Sequence, residues 1–341
     1  MSWKHLFSRS LKAQPERLHF AAHSHHLWPD ASHAGHMAAW DAAARLADHK
    51  WDRIMGPVWL QAQQHVADEL HLPDPATLCF APNTHDFLVR LVSALPMRPV
   101  RVLATDGEFH SFRRQMTRWV EAGEVLLETV SPGSLLETAR AGQFDLIFAS
   151  HVLFNSGTIL SDLEGLANLS RPEGPWVVID GYHGFMAVET DLSSFVDRIF
   201  YLSGGYKYAM AGEGACFLHA PRGYAERPVV TGWYAAFNAV QDMLKAEGLT
   251  TAAISGQVAG LQAQFLAENP LADFALLNPL DDGPHARFLA FRGSRAAAVH
   301  AALAEENVVT DVRGDVLRIG FALYHDAGDV TRLSTILGQL G

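Results

Sequence analysis

The sequence predicts an α/β protein with two parts. One is a mostly parallel, seven-stranded sheet covered by helices; the other is a smaller α/β unit at the carboxy-terminal end. Three observations carry this reading. Seven short apolar runs lie at 77–81, 100–105, 124–130, 144–150, 176–180, 198–203 and 215–219. Between most of them, apolar residues recur at helical spacing, as in Phe87-Leu88-Val89 with Leu91, Val92 and Leu95; strand–helix alternation of this kind belongs to parallel sheets. The runs are apolar without strict alternation, which suits strands buried on both faces. The pattern then changes. A long helical stretch from Ala235 to Leu271, broken near Gly248, is followed by Arg287-Phe-Leu-Ala-Phe-Arg, an alanine-rich helix, two further apolar runs near 308–312 and 317–321, and a last helix from Asp326. The expected division is an N-terminal arm at 1–30, a large domain at 31–238 and a small domain at 239–341.

Composition narrows the function classes. The chain has 341 residues, 49% hydrophobic and 18% charged, enough apolar surface for a substantial core. Its formal net charge of -11 argues against a polyanionic partner such as nucleic acid. Two cysteines cannot build a disulfide framework and suit a reducing compartment. No apolar run is long enough to span a bilayer, and the first 20 residues lack the apolar core of a signal peptide. The expectation is a cytoplasmic protein without membrane or nucleic-acid partners.

The stretch YLSGGYKYAMAGEGACFLHAP places Lys207 on a glycine-rich loop between two strand-like runs. A lysine amine is a nucleophile only when neutral, which requires desolvation or neighbouring charge. The loop by itself also suits a surface lysine beside a tight turn. The segment VVIDGYHGF adds Asp180 at the end of the preceding strand, with His183 three residues on. Residues just past the carboxyl ends of parallel strands line the ligand crevice, so Asp180 and Lys207 are expected to face one crevice. The glycines around Lys207 are expected to let a planar cofactor approach the backbone. A lysine able to form a Schiff base, with a carboxylate to hold a pyridine nitrogen protonated, is what pyridoxal 5'-phosphate requires of its protein. Asn83-Thr84, directly after a strand and opening a helix, offers an anion site for a phosphate, although both residue types are also ordinary helix caps.

The order Asn83-Thr84, Glu108-Phe109-His110-Ser111, Asp180-x-x-His183, Tyr206-Lys207-Tyr208, Gly232-Trp233 and Arg318 resembles the class V aminotransferase family of fold-type I pyridoxal-phosphate enzymes, and within it the kynureninase type. The resemblance runs from about His19 to Leu340. It implies the fold-type I architecture and a homodimer acting on a small α-amino acid. Asn83 and Thr84 would bind the phosphate, joined by Tyr206 and by Trp233 from a neighbouring subunit. Phe109 would stack on the ring, Asp180 would pair with the ring nitrogen beside His183, and Lys207 would form the Schiff base and then act as base at Cα. Arg318, in LRIGFALYHDAGDV, would clamp the substrate carboxylate with a bidentate guanidinium. Where the family has Gly-Asn-Ser-Leu-Gly, this chain has Ala22-His23-Ser24-His25-His26. It carries Phe112 at a position usually acidic and Leu153 where a polar residue faces the cofactor, and its loop after Trp233 is short.

His23, Ser24 and His25 are therefore expected at the substrate. A metal site at the histidines is not expected, because His-x-His-His lacks structural-zinc spacing. Cys79 and Cys216 lie inside apolar runs, which argues against catalysis by a protein thiol. The functional alternatives are kynureninase-like cleavage at the β-carbon, transamination of another small amino acid, or pyridoxal-phosphate binding without turnover. A histidine-rich metal module on the same scaffold is a further alternative.

Overall fold

The computed structural model describes residues 2–224, 235–268, 270–280 and 283–340. Its strands are β1 (Leu18–His19), β2 (Leu78–Ala81), β3 (Val100–Thr105), β4 (Val125–Val130), β5 (Leu146–Ser150), β6 (Trp176–Asp180), β7 (Phe200–Gly204), β8 (Cys216–His219), β9 (Ala275–Leu276), β10 (Phe288–Arg292), β11 (Val308–Val309), β12 (Asp311–Arg313) and β13 (Val316–Gly320). The main sheet has the order β2-β8-β7-β6-β5-β3-β4. Only β8 runs against its neighbours, pairing antiparallel with both β2 and β7. The seven runs read from the sequence are these seven strands, and the sheet is mostly parallel as expected.

The strands form where they do because each can be buried on both faces. Every residue of β2, β5, β7 and β8 is buried, as is β6 up to Asp180. No face is left for polar residues, so the period-two alternation of a half-exposed sheet is missing. Strand β4, at the sheet edge, is the exception: Leu126 is 57% exposed, and Glu128 and Thr129 face water. The strand order reverses at β3. Strand β4 lies on one side of it and β5 on the other, which makes the carboxyl ends of β3 and β5 the switch point where such sheets open a crevice.

The smaller unit is the four-stranded sheet β12-β13-β10-β9, antiparallel throughout. Helices Thr251–Glu268, Ala296–Glu305 and Ala327–Gln339 accompany it. The break near Gly248 is real: one helix ends at Ala246, Gly248 adopts φ +66°, and the next starts at Thr251. No helix among the described residues is long and apolar enough to cross a membrane.

The amino-terminal segment is fastened to this smaller unit. Strand β1 pairs in parallel with β11, and Phe20 continues the contact by accepting from the Gly320 N–H. Buried histidines reinforce the join. His19 Nδ1 and the Tyr324 hydroxyl are hydrogen-bonded at 2.6 Å, His325 Nε2 donates to the His19 carbonyl at 2.7 Å, and the Ala322 N–H donates to His325 Nδ1 at 3.0 Å. His26 stands edge-on to Tyr324. Burial pushes the pKa of His19, His26 and His325 down from 6.5 to about 3. The unfolded chain thus takes up protons that the folded protein refuses. The stabilising contribution of each histidine is complete above pH 6.5 and is lost as the pH falls from there toward 3. The expected outcome is a thermal midpoint that drops steadily between pH 7 and pH 5, each histidine contributing about 1.4 kcal/mol per pH unit to the slope. His325→Gln removes one titrating group and should flatten that slope in pH-dependent urea denaturation.

Candidate active site

Beyond the carboxyl ends of β3, β5, β6 and β7 lies a cavity of about 210 Å3. It is lined by Asn83, Thr84, His85, Phe109, Ser111, Ser150, Asp180, Tyr182, His183, Tyr206 and Lys207. Seven of the sequence candidates meet here: Asn83, Thr84, Phe109, Asp180, His183, Tyr206 and Lys207. A larger groove of about 690 Å3 runs past His151, Glu189 and His285. It contains none of these seven, so we place the chemistry in the smaller cavity.

Lys207 is 4% exposed. Its amine is 2.5 Å from His183 Nε2 and lies 5.4–5.8 Å from the ring centres of Tyr182, Tyr206 and Phe109. Burial drives its pKa well below the usual lysine value, and the charge of Arg318 adds to the fall. His183 is likewise held neutral by burial, and its ring also bonds to the backbone at His23. Two neutral partners fit the short contact: the amine donates and Nε2 accepts. Asp180 closes β6 and accepts from the Tyr182 N–H at 2.9 Å. Burial raises its pKa to about 6, while that hydrogen bond holds it from rising further.

Asn83 caps the helix Thr84–Ala94, its side chain accepting from the Asp86 N–H at 2.9 Å. The ordinary capping role is therefore filled, and Thr84, at the first helical position, faces the cavity at the positive end of the helix dipole. Phe109 stands just before the helix His110–Glu121, with its ring edge-on to Phe154 at 5.2 Å.

The glycines before Lys207 serve another purpose than expected. A Cβ on Gly204 would collide with the Tyr182 hydroxyl and Cys216 Sγ, and one on Gly205 would crowd Ala215 and Ala211. They let protein pack against protein and bring the loop down onto β8, instead of opening the backbone to a ligand. The cysteines are inert as read: Cys79 and Cys216 are 5% and 1% exposed, and burial pushes the Cys216 thiol up to about 12.

The substrate-end candidates are placed differently from one another. Arg318 is 2% exposed and does not line the cavity. Its Nη1 donates to the Phe154 carbonyl and its Nη2 to Asp311, which faces it in register across β12 and β13. Only Nε is buried without a partner. The expected bidentate clamp is therefore already engaged within the chain. His23 is fully buried, stacked on Phe288 at 4.8 Å, with Nε2 3.6 Å from Asp311. Ser24 is half-buried, and His25 is exposed with its ring 6.3 Å from that of Tyr206. Trp233 lies outside the described residues. Among the described residues no group of three or more His, Cys, Asp and Glu side chains gathers as a metal site.

Ser150, Tyr182 and His85 line the cavity without having been singled out, and Ser111 joins them, quoted in a motif but given no role. Ser150 was legible in principle as the last residue of a parallel strand, and Tyr182 lies between Asp180 and His183. His85 gave no signal beyond standing next to Thr84.

Comparison with known proteins follows the same lines. Residues 253–337 match the family model of the kynureninase C-terminal domain. The whole chain superposes on the apo cysteine desulfurase of Thermococcus onnurineus NA1, with a TM-score of 0.79 and 15% identity over 100% of this chain and 99% of that one. The chain has the fold of the class V aminotransferases. A lysine-to-alanine variant of C-DES, with glycine covalently linked to its PLP cofactor, gives a TM-score of 0.80 at 16% identity over 97% of this chain and 99% of that one. The complex of the cystine C–S lyase C-DES with cysteine persulfide gives 0.80 and 16% over 96% and 99%. No curated protein matches the chain in sequence. Within this class V fold, the buried Arg318–Asp311 pair makes a sharp prediction. Asp311→Asn leaves the guanidinium buried without its counter-charge and should cost roughly 3 kcal/mol of stability, read as a lower urea midpoint at unchanged slope.

Proposed function

We propose that this protein is a pyridoxal-phosphate-dependent enzyme acting on a small α-amino acid, with kynureninase-like cleavage at the β-carbon as the first reading. One observation carries the proposal. A buried lysine, held neutral, shares a cavity with a carboxylate at one strand end and a helix amino terminus at another. The residues present fit the cofactor. Thr84 and the helix dipole offer an anion site, and His85 Nδ1, buried without a partner at the same turn, offers one more donor. Asp180 suits a protonated pyridine nitrogen, and the rings of Phe109, Tyr182 and Tyr206 supply flat apolar walls.

In this reading Lys207 holds the cofactor covalently, Asp180 holds its ring nitrogen, and Phe109 stacks on the ring. Asn83, Thr84, His85 and Tyr206, with Trp233, bind the phosphate. When bound, pyridoxal phosphate supplies an electron sink for charge developing at an amino acid's Cα. Lys207 Nζ, freed once the substrate's amino group has taken its place and with its pKa lowered by burial, would take the Cα proton, and His183 Nε2 is placed to accept it in turn. Arg318 keeps its Nε–H and a further hydrogen on each of Nη1 and Nη2 for a substrate carboxylate, with His23 beside it. Cleavage at the β-carbon needs no protein thiol, which agrees with two buried cysteines. The functional unit is read as a homodimer.

The visible absorption spectrum tests this directly. Purified protein with added pyridoxal phosphate should show a yellow band that disappears or moves in Lys207→Ala. The amino acid that perturbs the band, from a panel including kynurenine, cystine, alanine and aspartate, identifies the substrate class. A protein that stays colourless with added cofactor overturns the proposal. At the substrate end, His23→Ala should lower kcat/KM by roughly tenfold, about 1.4 kcal/mol of transition-state stabilisation. Unchanged kinetics would remove His23 from the site.

A further inference from the structure

The larger groove, of about 690 Å3, has a chemistry of its own. Its walls come from residues 157–164 after β5, from 188–191 after β6, and from 277–279 and 283–285 of the smaller unit. Four exposed carboxylates line it: Asp162, Glu164, Glu189 and Asp191. No Lys or Arg is among the described residues of the lining. Asp162 Oδ1 accepts from the Gly165 N–H at 2.7 Å, and Asp191 Oδ1 accepts from the Ser193 N–H at 2.9 Å and stands 3.6 Å from His71 Nδ1. Glu164 and Glu189 have neither an ion pair nor a side-chain hydrogen bond among the described residues.

An acidic rim alone selects no ligand; the floor of the groove adds direction. His151 lines the groove and is 4% exposed. Successive residues of an extended chain point to opposite faces; Ser150 faces the smaller cavity and His151 faces the groove. Nδ1 of His151 is 3.3 Å from the Tyr201 hydroxyl. A chain of hydrogen bonds fixes the tautomer. Thr190 Oγ1 donates to the Val188 carbonyl at 2.9 Å, so it can only accept from the Tyr201 hydroxyl beside it. The Tyr201 oxygen then accepts from His151 Nδ1–H, and Nε2 is left as an open lone pair without a partner among the described residues. Burial keeps the ring neutral, with its pKa down at about 4. The other polar rings and amides of the lining are used within the chain. His285 has Nδ1 2.7 Å from the Ala286 carbonyl and Nε2 2.7 Å from that of Asn278. Asn278 donates to the Phe288 carbonyl at 2.8 Å and accepts from the Ala290 N–H at 2.9 Å.

The open positions are thus an acceptor on the floor and carboxylates on the rim, which call for a ligand with N–H donors and positive charge. A metal ion does not answer this, because no three His, Cys, Asp or Glu side chains among the described residues gather as ligands. The volume suits a small organic molecule. We propose that the groove is a second binding site, for a small organic cation with two or more amine or guanidine groups: one N–H donates to His151 Nε2, and the charged groups lie against Glu164 and Glu189. The proposal stands independently of the cofactor reading of the smaller cavity.

Isothermal titration calorimetry of the full-length protein with agmatine, putrescine and spermidine tests it. At least one probe should bind at one site per chain, with an affinity that Lys207→Ala leaves unchanged. His151→Leu should weaken that binding roughly tenfold. Glu164→Gln combined with Glu189→Gln should weaken it about fivefold and reduce its dependence on salt. Binding that His151→Leu leaves intact and that high salt abolishes is diffuse attraction to an acidic surface, and overturns the proposal. So does a lack of binding by all three probes at millimolar concentration. Loss of binding in Lys207→Ala would put the amine in the smaller cavity and overturn it as well. Should His151→Leu lose its circular-dichroism signature of folding, the exposed glutamate pair decides, and unchanged affinity there sinks the site.

Discussion

A lysine amine buried without a carboxylate partner is the constraint around which this molecule is arranged. Carrying an ammonium into such a place costs several kcal/mol, so Lys207 stays neutral and needs a neutral neighbour. His183 provides it at 2.5 Å, and three aromatic rings keep water away. The sheet topology serves the same end. Because β8 turns back against β7, the loop carrying Lys207 is anchored at both ends, with Gly204 paired to Cys216. A parallel crossover would have let the chain leave; the hairpin holds the amine in place.

The other buried charges are settled by pairing. Arg318 and Asp311 neutralise one another across two strands of the smaller unit, with Phe154, in the turn after β5, contributing a carbonyl. This cross-link ties the segment after β5 to β13. It also sets a condition on any substrate carboxylate, which must share the guanidinium with Asp311 or meet it at Nε. His23, inserted between Asp311 and Phe288, belongs to the same cluster, so the amino-terminal segment, the large sheet and the small sheet converge on one charge.

Much of the fold was legible because it rests on local patterns. Seven apolar runs with helical spacing between them specify a buried parallel sheet, and the runs at Trp176–Asp180 and Phe200–Gly204 end where Asp180 and Lys207 must project. The cavity residues near those ends followed from the rule that strands deliver side chains to their carboxyl edge. The histidines were harder. His23, His25 and His26 are adjacent in sequence, yet one is sealed beside Arg318, one is exposed near Tyr206 and one packs on Phe7 and Tyr324. The segment from Ala21 to Leu27 is turn, not strand or helix, and no periodicity announces which way its side chains point.

Residue order alone determined the α/β class, the place of the main strands, and the meeting of Lys207 with Asp180, because strand ends and chain direction are local properties. Tertiary structure decided what no local pattern contains. Asp311 faces Arg318 through antiparallel register, Ser150 lies beside Asp180 through parallel register, and the glycines near Lys207 turn out to seat Tyr182 and β8. Each of these depends on which strand lies beside which. That is set by how the whole core packs, and side chains hundreds of residues apart acquire their charge states only once that packing has excluded water.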